Sequence, residues 1–181
     1  MKNKGFSLVE LIIVIAIMAI LAAAIAPALI RYIDKSRRSD DVAAAETINT
    51  AAQAAFSNEE AYDDVQKNDG STKYADPEGD MITILATVPE NSDSWTGASA
   101  IPNNCQFIRE LSSNVGTKSP KLKYTKDGAN GWAVGINPAN NKPVVFVTAT
   151  GGFTGATDAE GKTSNSKKSL ELQPSICAPY K

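Results

Sequence analysis

The feature that most constrains this chain is an apolar run near its N-terminus, residues 11–30, in which no side chain is charged. About 20 apolar residues in a helix match the thickness of a lipid hydrocarbon core, so the run is a candidate membrane-spanning helix. A secretory signal peptide carries its cleavage site after the apolar region. Here the processing-like segment, residues 5–10, comes before it. Cleavage after Gly5 would therefore leave the apolar segment in the mature protein as its new N-terminus.

Two residues are unusual for a simple membrane anchor. Glu10 lies at the edge of the apolar run, where an ionised carboxylate costs free energy unless it is paired. Pro27 lies near the end of the run, where a proline removes a backbone hydrogen bond and kinks or loosens a helix. Both residues suggest that the segment does more than cross a bilayer.

The helical pattern continues beyond the apolar run. Apolar residues recur at three- and four-residue steps among polar ones, the periodicity of a helix with one buried face. The sequence therefore predicts one helix from about Phe6 to about Tyr62. A helix of that length needs a coiled-coil, membrane or assembly role. Its second half carries a narrow alanine-rich stripe, suited to lying on a globular domain.

Composition argues against several classes of function. The length of 181 residues suits one membrane segment and one domain of about 100–150 residues. The net charge is −2 and histidine is absent, so nucleic acid is not expected as a partner and histidine-based catalytic or metal sites are excluded. No phosphate-binding loop, nucleophile elbow or metal-ligand array occurs in the sequence, and we expect neither a cofactor nor enzymatic activity. The acidic clusters at 76–80 and 90–93 could chelate calcium, but they lack EF-hand spacing, and we interpret them as solvated turns.

The remaining sequence predicts a small α+β head. Residues 81–88 form a strand or a short buried helix, and 105–111 have helical spacing that should stop near Gly116. Three segments with turn sequences between them predict an antiparallel meander packed on the alanine-rich stripe: 121–125, 132–136 and 144–148. Residues 67–79 and 92–104 are expected to be connectors, 151–169 a polar loop, and 170–172 a short strand.

The N-terminal residues resemble the type IV pilin family. The matching parts are the short basic leader at 1–5, Phe6 at the processed position, Glu10 four residues beyond it, and Pro27 late in the apolar run. The return to an amphipathic helix also matches, so the resemblance covers about the first 62 residues. It implies a pilin fold, cleavage after Gly5 by a membrane-embedded prepilin peptidase, and N-methylation of Phe6. It also implies assembly of many copies into a helical filament, with an assembly platform and minor pilins as further partners.

The resemblance gives several residues possible roles. It implies that Glu10 faces the Phe6 amine of its own or a neighbouring subunit, because a buried carboxylate needs a partner; the alternative is an interfacial acid at the membrane edge. Pro27 is either a tolerated kink or part of a segment, 22–29, that melts or bends when subunits pack. A basic cluster after the run either pairs with acids of adjacent subunits or forms a solvated helix face: Arg31, Lys35, Arg37 and Arg38.

The two cysteines, Cys105 and Cys177, both lie in the part expected outside the membrane. An even count in an extracytoplasmic domain favours one disulfide over two free thiols. In many pilins a disulfide bounds a loop after the main sheet. Here Cys105 precedes the predicted meander, so the bond would enclose the sheet itself, and this departure leaves the pairing open.

The expected organisation is a leader at 1–5, a transmembrane and assembly half at 6–30, an amphipathic half at 31–66 and a head at 67–181. The resemblance implies a single-pass precursor in the cytoplasmic membrane with its C-terminus outside, and a surface pilus after assembly. Motility, adhesion and DNA uptake all remain open as its purpose. The alternative is a pseudopilin of a type II secretion or competence system.

Overall fold

The computed structural model of the chain describes residues 7–67, 73–75, 81–88, 92–98, 101–116, 118–125, 128–149, 169–177 and 180. The chain divides into two compact units, residues 1–37 and 38–181. The described part of the first unit is almost entirely helical. The second unit, called the head below, contains the sheet and the hydrophobic core.

Helix α1 spans Leu8–Phe56 and contains Pro27. The single helix predicted to about Tyr62 is wrong at its C-terminal end, because α1 stops at Phe56 and a separate helix, α2, covers Glu59–Lys67. The predicted continuity past Pro27 is confirmed, because α1 runs from Leu8 to Phe56 with Pro27 inside it.

Asn58 explains the break between the two helices. Its Oδ1 accepts hydrogen bonds from the backbone N–H groups of Glu60 and Ala61, at 3.0 and 3.3 Å. Asparagine is a favoured N-cap because its side chain satisfies donors that the first helical turn leaves unpaired. The sequence Asn58-Glu59-Glu60, with acids in the first turn, is a helix-start signal that the apolar periodicity conceals.

The described part of the head combines these helices with one antiparallel sheet, which confirms the α+β class. Its further elements, in chain order, are β1 Lys73–Ala75, β2 Met81–Val88, β3 Thr96–Gly97, α3 Gln106–Val115, β4 Gly131–Asn137, β5 Lys142–Thr148 and β6 Ser169–Gln173. The strand order is β1-β2-β4-β5-β6, and β3 pairs with β2. Of the predicted elements, 81–88 is a strand, and α3 ends before Gly116, which takes a φ of 111°.

The predicted strand at 121–125 is wrong. These residues are not in the sheet, and β2 occupies the place beside β4 with Ala86 opposite Val134. The backbone N–H groups of Lys123 and Tyr124 instead donate hydrogen bonds to the carboxylate of Asp41 on α1, at 2.7 and 2.9 Å. Because a side chain uses these donors, they are not available to a neighbouring strand.

The core lies mainly between the sheet and the helices. Alanines and Ile48 of α1 share one hydrophobic cluster with α3 and one face of the sheet, and the rings of Phe56 and Phe107 stack at 5.0 Å between centroids. This confirms the predicted packing of the alanine-rich stripe. A smaller cluster is buried on the other face of the sheet, as the alternation of the strands requires: Ile82, Ile84, Ala98, Ala133, Val144 and Phe146.

Candidate functional site

The described part of the first unit presents a large exposed apolar surface. The large apolar side chains from Leu8 to Ile33 are between 40% and 73% exposed. The most apolar 18-residue window of α1 has a mean hydropathy of 3.0 and none of it is buried. A helix from the core of a soluble protein would be mostly buried, whereas a membrane-spanning helix and a signal sequence near an N-terminus both have this length and composition. By length and composition, α1 is able to cross a membrane.

Glu10 lies in the first turn of α1 and is exposed. Its negative charge is favourably placed there, because the free N–H groups of a helix start carry partial positive charge. Pro27 is also exposed, on the same helix. Gly5 and Phe6 lie outside the described residues, so cleavage, methylation and the pairing of Glu10 with the Phe6 amine stay predictions.

The head holds its part of α1 through a buried carboxylate. Asp41 has no exposed surface, and its two oxygens accept the hydrogen bonds from Lys123 and Tyr124 described above. Burial raises the pKa of the Asp41 carboxyl above its usual value, although the two backbone hydrogen bonds oppose the shift. Asp41 therefore ties residues 121–124 to the helix.

A second contact reinforces this tie one turn earlier in α1. Arg38 Nη2 donates a hydrogen bond to the Tyr124 hydroxyl at 2.7 Å, and the guanidinium carbon lies 4.3 Å from the centre of the Tyr124 ring. The Tyr180 ring packs edge-on against Tyr124 at 6.0 Å between centroids. We call Arg38, Asp41, Tyr124 and Tyr180 the helix clasp.

Only one residue of the predicted basic cluster, Arg38, belongs to the clasp. Arg38 is half-buried and bound within its own head, whereas Arg31, Lys35 and Arg37 are exposed. The sequence pattern does not connect Asp41 with Tyr124, which is 83 residues away in the chain. One signal was present: Asp41 lies four residues before the buried Ala45, so the apolar stripe extended by one turn reaches it.

Both cysteines are buried and belong to the same hydrophobic cluster. Cys105 is the residue that precedes α3, and Cys177 follows β6, so the two bracket the central strands as the sequence suggests. Their pairing as a disulfide stays a prediction.

The acidic clusters fall mostly outside the described residues. Asp93 is described, and it forms an ion pair with Lys118 at 3.0 Å. The hydrogen bond from Lys118 lowers the pKa of the Asp93 carboxyl. In the part of the chain that the structure describes, there is no group of three or more potential metal-ligating side chains.

Comparison with known proteins extends the similarity beyond the N-terminus. The family model of the prokaryotic N-terminal methylation motif matches residues 1–26. The type IV major pilin protein PilA of Myxococcus xanthus (strain DK1622) is 28% identical over 146 residues, which is 76% of this chain. The match covers 66% of that relative, so the chain spans just under two thirds of its length. No solved structure gives a significant match.

Proposed function

We propose that this chain, which the methylation motif and the similarity to a major pilin place in the type IV pilin family, is a structural subunit of a type IV pilus. The observation that carries the proposal is the uncovered apolar half of α1, which directly follows the processing segment. A monomer with this surface needs a membrane before assembly and other subunits after it.

The proposed sequence of events begins with cleavage after Gly5 and methylation of the Phe6 amine. The new N-terminus remains cationic, and Glu10 is the nearest acid along the helix. Pairing of the two groups offsets the cost of removing each charge from water. The apolar half of α1 can then exchange lipid for the helices of neighbouring subunits, while the clasp keeps the head on its own part of α1.

The proposal is for a structural role and a major subunit. The exposed apolar helix favours assembly over catalysis, and the relative is named as a major pilin. A pseudopilin, the alternative, would share the N-terminal motif and differ in abundance and location. The precursor is proposed to be a single-pass membrane protein with the head outside, and the assembled form to lie at the cell surface.

Intact-mass measurement and N-terminal sequencing of the mature protein test the processing. We expect a chain that starts at N-methylated Phe6. A chain that starts near Ile25, after the run of alanines, would mean signal-peptide cleavage and would overturn the proposal. Sheared surface filaments composed mainly of this chain would support a major pilin, whereas a low-abundance chain confined to the cell envelope would favour the pseudopilin.

A substitution at Glu10 tests the assembly step. In the Glu10→Ala variant the precursor should remain in the membrane fraction while the yield of sheared filaments falls at least about tenfold, since a lost partner leaves the buried amine uncompensated. The matched control is Asp40→Ala, which removes an exposed acid from the same helix and should leave the yield unchanged. Normal filament yield from Glu10→Ala would contradict the proposed role of Glu10.

A further inference from the structure

A groove of about 480 Å³ lies along the exposed side of α1 within the head, next to α3. Small side chains form most of its lining: Ala43, Thr47, Thr50, Ala51 and Ala54, with Glu46 and, from α3, Asn114. Four of the five small residues, Ala43, Thr47, Thr50 and Ala54, follow steps of four, three and four, so they form one row along the helix. The groove is therefore straight and runs with the axis of α1.

The chemistry of this row favours another helix as the occupant. The Thr47 hydroxyl donates a hydrogen bond to the Ala43 carbonyl at 3.1 Å, and the Thr50 hydroxyl donates to the Glu46 carbonyl at 3.0 Å. Because both hydroxyls are already bonded to the backbone, the row offers small apolar surface and no demand for polar partners. Small side chains allow the axes of two helices to approach closely.

Glu46 is the one ionisable side chain in the lining of this groove. It is exposed, and none of the hydrogen bonds or ion pairs found among the described residues uses its carboxylate. An occupant that fits the groove should therefore carry a cation beside small or apolar residues.

The exposed basic face of α1 has this chemistry. Arg31 and Lys35 are one turn apart and therefore lie on the same side of the helix, and both are exposed. Ala28, three residues before Arg31 and seven before Lys35, lies on the same side and is also exposed. Arg37 is six positions from Arg31, which at about 100° per residue turns it about 120° away from that face.

We propose that the groove receives the face formed by Ala28, Arg31 and Lys35 of α1 from a second copy of this chain, with Glu46 pairing with a basic side chain of that copy. This inference rests on the proposed function, because it names a contact between neighbouring subunits of the filament. Charge complementarity at such a contact sets which surfaces meet and in which register. The groove side of the contact lies in the head, and the basic side lies in the other unit of the second copy.

Charge reversal and its rescue test the pairing. Filament yield should fall at least about tenfold in Glu46→Arg and in the double variant Arg31→Glu/Lys35→Glu, because each places like charges at the contact. The three substitutions combined should restore most of the yield, since they restore opposite charges. Arg37→Glu makes a matched charge reversal at an exposed position outside the contact, and should change the yield less than about twofold.

Cross-linking provides a second readout that does not depend on the yield. Cells that make one chain with Thr47→Cys and another with Lys35→Cys should give a disulfide-linked dimer in sheared filaments after mild oxidation. A pair of Thr47→Cys and Arg37→Cys chains should give little dimer. If the first pair gives no more dimer than the second, the proposed contact is wrong, whatever the charge variants do.

The outcomes separate this inference from the proposed function. If the wild-type chain is absent from surface filaments, the proposed function fails and the contact with it. If wild-type filaments form and Glu46→Arg assembles as well as wild type, only the contact is refuted. If Arg31→Glu/Lys35→Glu instead lowers the amount of precursor in the membrane fraction, the basic face binds lipid headgroups, and a second copy is not its partner.

Discussion

Replacing Asp41 with alanine should detach residues 121–124 from α1 and lower the free energy of unfolding of the head by about 2–4 kcal/mol. The substitution removes the acceptor of two backbone hydrogen bonds, at 2.7 and 2.9 Å. Each hydrogen bond to a charged group contributes about 1.5–3 kcal/mol, which sets an upper range of about 3–6 kcal/mol. The cost of burying the carboxylate, visible in its raised pKa, reduces the net figure.

Urea unfolding of the full chain in detergent micelles measures this change. The two tryptophans, Trp95 and Trp132, are both buried in the head, so their fluorescence reports on the unit that contains Asp41. Trp132 also donates a hydrogen bond to the Pro120 carbonyl at 2.7 Å, directly before the tethered segment. Asp40→Ala, an exposed neighbour, is the control and should change stability by less than about 0.5 kcal/mol.

The pH dependence of the free energy of unfolding provides an independent test of the environment of Asp41. Because burial raises the pKa of Asp41 above 3.8, the folded state binds a proton at this site more readily than the unfolded state. The stabilisation from that proton is fully present below the unfolded pKa and is lost as pH rises through the folded pKa. Asp41→Asn removes the titration, so the stability of the wild type relative to this variant should increase as pH falls from 7 to about 4.

Two results would refute this reasoning. Equal unfolding midpoints for Asp41→Ala and Asp40→Ala would show that the hydrogen bonds from Lys123 and Tyr124 contribute nothing net to stability. The second result is a loss of stability of the wild type relative to Asp41→Asn as pH falls. It would show that the two hydrogen bonds affect the pKa of Asp41 more than burial does, so that this pKa is lowered.

Three further predictions concern other parts of the head. Asn58→Ala should lower the free energy of unfolding by about 0.5–2 kcal/mol in the same urea assay, because α2 loses its N-cap; an unchanged midpoint would contradict that role. Gly135→Ala should cost about 1–3 kcal/mol, since an added Cβ would lie 2.7 Å from Ile82 Cγ2, and a variant as stable as wild type would show that the sheet yields there. If Cys105 and Cys177 pair, non-reducing intact mass should be lower by two hydrogens than the reduced mass, whereas two thiols that react with iodoacetamide without reduction would exclude the bond.

Local patterns predicted most of the regular structure. The β-branched runs at 132–136 and 144–148 lie in β4 and β5, and the helical spacing after Cys105 corresponds to α3. These segments carry their signal in their own residues, because both faces of a central strand are buried and one face of α3 is apolar. The capping signal at Asn58 was equally local, but the apolar spacing on either side concealed it.

The segment 121–125 shows why a correct local pattern can give a wrong strand. Its polar and apolar residues alternate as in an edge strand, but this pattern does not predict which acceptors will bind the backbone N–H groups. A β-strand pairing and a buried carboxylate satisfy the same donors. The choice depended on Asp41, which is 82 residues away from Lys123 in the sequence.

Composition and periodicity by themselves determined that this chain has an uncharged apolar helix with an acid at its start and an α+β head after it. A processing segment before the helix is what the resemblance to type IV pilins implies. Only the tertiary structure decided that Asp41 and Arg38 clasp the head to α1 while Glu46, on the same helix, remains at the surface. The physical reason is that the environment of a charged side chain is set by the residues that fold around it, and these come from distant parts of the chain.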